Sequence, residues 1–156
     1  MPLPTAINLD WLDQVVVMLQ TNTTRKEDLA SFFGINLAKK PSDGWSAVSK
    51  YGLVKVKIYD LPHIAIDIAV DVVFEDGLRP RLAELERRLG KSHLVPRAPD
   101  DFSSGNRVAF YPQSGKSPVF VRVFAEMEKN KSTLIKLQID RTIPNNGRRL
   151  QGDSLE

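Results

Sequence analysis

The chain has 156 residues, 22 Lys plus Arg against 19 Asp plus Glu, and no cysteine. Its 42% hydrophobic and 26% charged residues are ordinary globular fractions, which argues against wholesale disorder. The missing cysteines exclude disulfide scaffolds, thiol nucleophiles and Cys-ligated zinc, and no apolar run reaches the length of a membrane span.

These figures lead to an expectation of a single cytoplasmic α+β domain over residues 1–144, with a flexible tail over 145–156. Charge is divided unevenly. Residues 1–78 hold 7 Lys/Arg and 10 Asp/Glu, a net of −3, whereas residues 79–156 hold 15 and 9, a net of +6.

In chain order, residues 8–20 predict a first helix. Asn8 serves as its cap, and Trp11, Leu12, Val15, Met18 and Leu19 form its apolar stripe. Thr24-Arg25-Lys26-Glu27 has capping-box spacing for a second helix, which buries Leu29, Phe32 and Phe33 and stops at Gly34. After a loop with Pro41, Asp43 and Trp45, a short strand is predicted near Ala47–Tyr51. A hairpin over 53–74 follows, where Val54, Val56 and Ile58 alternate with Lys55, Lys57 and Tyr59.

A third helix is predicted over 80–89. Leu78, Leu82, Leu85 and Leu89 share a stripe, Glu84 can pair with Arg88, and Gly90 ends it. A second Pro/Asp/aromatic loop (Pro99, Asp101, Phe102), a strand over 107–111 and a hairpin over 118–141 complete the pattern. In that hairpin Val119, Val121 and Val123 alternate with Phe120, Arg122 and Phe124, and Ile135, Leu137 and Ile139 with Lys136, Gln138 and Asp140.

Helix, loop and three strands thus occur twice. The expectation is two tandem α-β-β-β units, 24–76 and 78–143, sharing a mainly antiparallel sheet of about six strands. Helices lie on one face, and the N-terminal helix is additional.

Chemical motifs are sparse. Gly115-Lys116-Ser117 lacks the earlier glycine and the following helix of a phosphate loop. His63, Asp67 and Asp71 share one strand parity, but its ends would lie more than about 20 Å apart, so no metal is expected. Asp67 and Asp71 are instead expected to face Lys55 and Lys57 as opposite charges.

No cofactor is expected either. The candidate site is the polar sheet face: Lys55, Lys57, Tyr59, Asp67, Phe120, Arg122, Phe124 and Glu126, a mixture of aromatics and pairable charges suited to protein contact. The expected function is a non-catalytic protein-binding module of inhibitor, immunity or adaptor type, its partner another protein or a second copy of itself. Two other classes stay open: a small enzyme with a loop site near His93, Asp100 and Asp101, and a binder of anionic ligands or nucleic acid through the basic C-terminal half. Whether the first helix covers Phe120 and Phe124 also stays open.

Overall fold

The computed structural model describes residues 8–21, 23–39, 41–61, 66–95, 106–112, 119–128 and 133–142. Helix α1 spans Asp10–Gln20, α2 Lys26–Phe33 and α3 Leu82–Leu89. Among the described residues no helix is long and apolar enough to cross a membrane. The N-cap position of α1 is Leu9 rather than the expected Asn8, which lies one residue earlier and whose Oδ1 accepts the Asp10 amide at 2.8 Å.

The box predicted at Thr24 moves by one residue. The Arg25 amide donates to the Asp28 carboxylate at 2.8 Å, and α3 repeats the device with the Arg81 amide and Glu84 at 3.0 Å. In each case the acid three residues on reaches back to a helix-terminal amide that has no partner within the helix. Gly34 ends α2 in the left-handed region, φ 75° and ψ 34°, where a side chain would be strained.

Two expectations around α3 fail. Leu78 lies outside the helix, in a 3-10 turn over Asp76–Leu78, and is exposed. Glu84 is engaged with Arg81, and Arg88 reaches instead to Asp10 (3.1 Å) and Asp13 (2.6 Å), tying α3 to the first turn of α1.

The strands are β1 Ser46–Ala47, β2 Leu53–Leu61, β3 Ile66–Phe74, β4 His93–Leu94, β5 Asn106–Phe110, β6 Phe120–Met127 and β7 Leu134–Thr142. They form one antiparallel sheet in the order β1-β2-β3-β7-β6-β5-β4. Among the described residues seven strands replace the expected six, the addition being β4, which is too short to show any alternation in sequence. Along the chain α2 precedes β1–β3 and α3 precedes β4–β7. The last strand of each run, β3 or β7, meets the other at the centre.

One cluster of buried residues joins α1 (Trp11, Leu12, Val15, Val16, Leu19), α2 (Leu29, Phe33) and Leu85 of α3. From the sheet it takes Val56, Val70, Val72, Val121, Val123, Leu137 and Ile139. Each such side chain contributes about 1.5–3 kcal/mol by leaving water. The Val15–Val17 run is tolerated in α1 because Val15 and Val16 are spent on this core.

Three register shifts displace predicted positions. One between Leu53 and Lys55 leaves Val54 exposed. Another opposite Glu126 and Met127 gives the core position to Leu134 rather than Ile135. The third, at Ile66–Ile68, alters the candidate site. Of the turn the sequence predicts at 60–63, Asp60 and Leu61 belong to β2 instead, while 62–63, the turn predicted at 129–131 and the tail 145–156 lie outside the described residues.

Candidate functional site

Strand pairing sets the face opposite the core. Lys57, Asp71, Gln138, Phe124, Ala109 and His93 are consecutive partners across the sheet from β2 to β4. Beside this row run Lys55, Val73, Lys136, Glu126 and Arg107, and on its other side Tyr59, Ala69, Asp140 and Arg122. Because side chains alternate across a pleated strand, these rows share one face. Seven of the eight residues singled out from sequence are brought together here, Phe120 lying at the end of the face opposite Thr142.

Asp67 is the exception. β3 carries one residue more than β7 between Ile66 and Ala69, so Asp67 and Ile68 both fall opposite Arg141. The extra residue turns Asp67 to the side of the helices. There its carboxylate accepts from Arg141, whose Nε lies 2.9 Å away and whose Nη2 also reaches it. The same guanidinium donates to the carbonyls of Thr21 and Thr24 at 2.7 Å each, bridging the end of α1 and the approach to α2. Asp67 is therefore part of the scaffold, and the expected facing of Asp67 to the β2 lysines is not made.

Phe120 and Phe124 stand apart from the core to which α1 contributes, and Phe120 is 49% exposed. Phe124 is half-buried beneath two guanidinium groups, with Arg107 at 4.9 Å and Arg122 at 5.1 Å from the ring centroid. Trp45, just before β1, receives three ammonium groups: Lys55 and Lys57 at 4.8 Å and Lys136 at 5.6 Å. Each such contact is attractive because the ring face is electron-rich.

Sequence reasoning missed Trp45, Arg107 and Lys136. Lys136 had the right parity. Trp45 lies in a loop, where no periodicity exists to reveal it.

Two acids sit deep in this face. Asp140 is fully buried and takes a two-pronged bond from Arg122, Nε and Nη2 each at 2.9 Å, with the Gln138 amide at 3.4 Å. Arg122 is thus a structural counter-ion as well as a surface group. Asp71 accepts the Tyr59 hydroxyl, 3.2 Å from each carboxylate oxygen, with the Lys136 ammonium at 3.9 Å.

Burial raises the Asp71 carboxyl above its ordinary range, against the opposing pull of Lys136, the Tyr59 hydrogen bond, Lys57 and Arg107. Burial also holds the Tyr59 phenol well above its usual value, and the Asp71 charge adds to this. Tyr59 is consequently a neutral donor.

The folded state of Asp71 binds its proton more tightly than the unfolded chain does. Stability from this group is therefore present at low pH and lost as pH rises through its raised value. Asp71→Asn keeps an acceptor for Tyr59 and removes the desolvated charge. Its thermal midpoint is expected to exceed that of the wild type at neutral pH, the gain shrinking as pH falls toward the ordinary carboxylate range. Thermal melts at several pH values measure this, and a gain that grows on acidification contradicts it.

Among the described residues, the face carries a shallow depression of about 30 Å³ between Arg107, Phe124, Glu126, Lys136 and Gln138. His93 is exposed, its ring 5.3 Å from that of Tyr111. Asp100 and Asp101 lie outside the described residues. Such a surface can be covered by a large partner more readily than it can enclose a small substrate. No protein-family model, curated protein or solved structure matches the chain.

Proposed function

We propose that this is a small cytoplasmic, non-catalytic binding module of inhibitor, immunity or adaptor type, and that its sheet face grips an acidic patch on another protein. In this reading it is one domain made of two tandem α-β-β-β units with their helices together on one side. The matching Arg25–Asp28 and Arg81–Glu84 helix starts, and the meeting of β3 with β7, support the duplication.

The observation that carries the function is the composition of the face. Lys55, Lys57, Arg107, Arg122 and Lys136 are interleaved with Trp45, Tyr59 and Phe124 over a nearly flat surface. Five cations stand against Asp71, Glu126 and Asp140. Of those acids, Asp140 is already matched by Arg122, and Asp71 is held by Tyr59 and Lys136. The positive excess favours an acidic partner and disfavours stacking against the same face of a second copy. Nucleic acid fits less well. Guanidinium and ammonium groups already occupy ring faces on which bases would stack, and Glu126 would meet phosphates.

The test is affinity capture on immobilised protein from the native host, comparing wild type with the Lys55→Glu/Lys57→Glu double variant. The wild type is expected to hold an acidic protein stoichiometrically. The double variant should bind it at least about tenfold more weakly, equivalent to about 1.4 kcal/mol, and stay folded with a lowered thermal midpoint, because the new carboxylate at position 57 lies opposite Asp71. Co-elution of nucleic acid instead, or equal capture by both forms, overturns the reading.

A further inference from the structure

Among the described residues, the β1-side edge of β2 is only partly paired. β1 covers β2 only at Ser46–Val56 and Ala47–Lys55, with one more bond from the Val48 amide to the Val54 carbonyl at 3.1 Å. Along an antiparallel strand, alternate residues turn their amide and carbonyl to the same side. Val54 and Val56 face β1, so Ile58 and Asp60 present their backbone groups in the same direction. Among the described residues no strand lies opposite them. The alternation persists because the register shift at this end inserts its extra residue into β3, not β2.

The chain leaves room along this edge. The loop after α2 stands off from β2 across an open groove of about 720 Å³. Its lining includes the apolar Ile35 and Leu37, Pro41 and Gly44 of the loop, and Ile58 and Tyr59 of β2. The Lys26–Asp60 ion pair at 3.2 Å also lines it, both partners well exposed and therefore cheap to separate.

We infer that the groove is a receptor for an extended peptide, which adds to the sheet as a strand alongside Lys57–Asp60. The outward backbone donors and acceptors of Ile58 and Asp60, without a strand partner among the described residues, are matched in full only by another extended main chain, which selects the class of ligand. The segment needed is about 13 Å long.

Side-chain preference follows from the pleat. A peptide residue level with Ile58 points to the helix side, onto Ile35 and Leu37, and is apolar. Its neighbours, level with Lys57 and Tyr59, point to the cationic sheet face, where Lys57 favours an acid. The ligand is an alternating acidic and apolar segment. The edge shares Lys57 and Tyr59 with the broad face proposed above. Main-chain pairing at Ile58 and Asp60 and the apolar contact with Leu37 do not involve that face, so a backbone-methylated peptide and Leu37→Glu test this inference by itself.

The probe is a blocked Glu-Val-Glu-Val-Glu peptide, titrated onto the full chain while backbone amide exchange is followed by NMR. Saturable binding is expected, with slowed exchange at Ile58 and Asp60. A copy methylated at alternate backbone nitrogens keeps every side chain and is expected to bind at least about tenfold more weakly.

Asp60→Pro deletes an outward amide while leaving the β2–β3 ladder intact, and Leu37→Glu charges the apolar wall. Each is expected to cost about tenfold in affinity, and Leu37→Glu serves if the proline variant fails to fold. Absence of saturation up to about 1 mM overturns the inference. Equal binding of the methylated peptide, or protection that appears elsewhere, does so as well.

Discussion

Replacing Arg141 with Ala is expected to destabilise the protein by about 3–5 kcal/mol, because it leaves a partly buried acid and two carbonyls without their shared donor. The side chain is almost wholly enclosed, and its guanidinium serves Asp67, Thr21 and Thr24 at once. With the arginine gone, the partly exposed Asp67 carboxylate loses its counter-charge. The chain turn between α1 and α2 also loses its tie to β7. For a chain of this size the thermal midpoint should fall by roughly 10 °C or more.

Arg141→Lys should recover little of the loss, since one compact ammonium cannot span three acceptors held by a planar fork. Asp67→Asn should cost less than Arg141→Ala, because the carboxylate is about one-third exposed and both carbonyls keep their donor. Calorimetry on the three variants decides the matter. A loss below about 1 kcal/mol for Arg141→Ala would show that water replaces the guanidinium.

Strand parity was legible in the sequence wherever the ladder is regular. Val121 and Val123 entering the core while Arg122 and Phe124 turn away follows from a local period of two, and so does the pairing of Lys57 with Asp71. Asp67 was misplaced by the same rule. Its bulge adds one residue, and nothing in the alternation of Ile66 to Phe74 marks where that residue sits. Ile135 and Leu134 exchanged roles for the same reason.

Helix starts were misread for a different cause. Thr24 matches the preferred residue type, but the Asp28 carboxylate finds the Arg25 amide. Trp45 reaches the candidate face from a loop, and Arg107 flanks Phe124 from a neighbouring strand. Both facts depend on strand order, which a local pattern does not contain. The same long-range order makes Arg122 structural, although its sequence context shows only a polar position between valines.

Arg122 is accordingly a poor choice for a pure binding mutant, and its removal should be visible in stability. Arg122→Ala strips Asp140 of both strong donors and leaves only the long Gln138 contact. Asp140 has no exposed surface, whereas about a third of Arg122 is in water. Solvent entering the vacated space will offset part of the loss, so an expected cost of about 2–3 kcal/mol is appropriate rather than the full penalty of a sealed pair.

A second measurement separates this account from simple loss of packing over Phe124. In Arg122→Met/Asp140→Leu both charges leave together and apolar volume is restored. A buried ion pair exchanged for apolar residues is commonly neutral, so the double variant should melt near the wild type and well above Arg122→Ala. Phe124→Ala, which removes the ring but keeps the ion pair, should also remain closer to the wild type than Arg122→Ala. If the double variant instead unfolds as readily as Arg122→Ala, the uncompensated Asp140 charge is not the cause, and the contacts of the guanidinium with Phe124 carry its contribution.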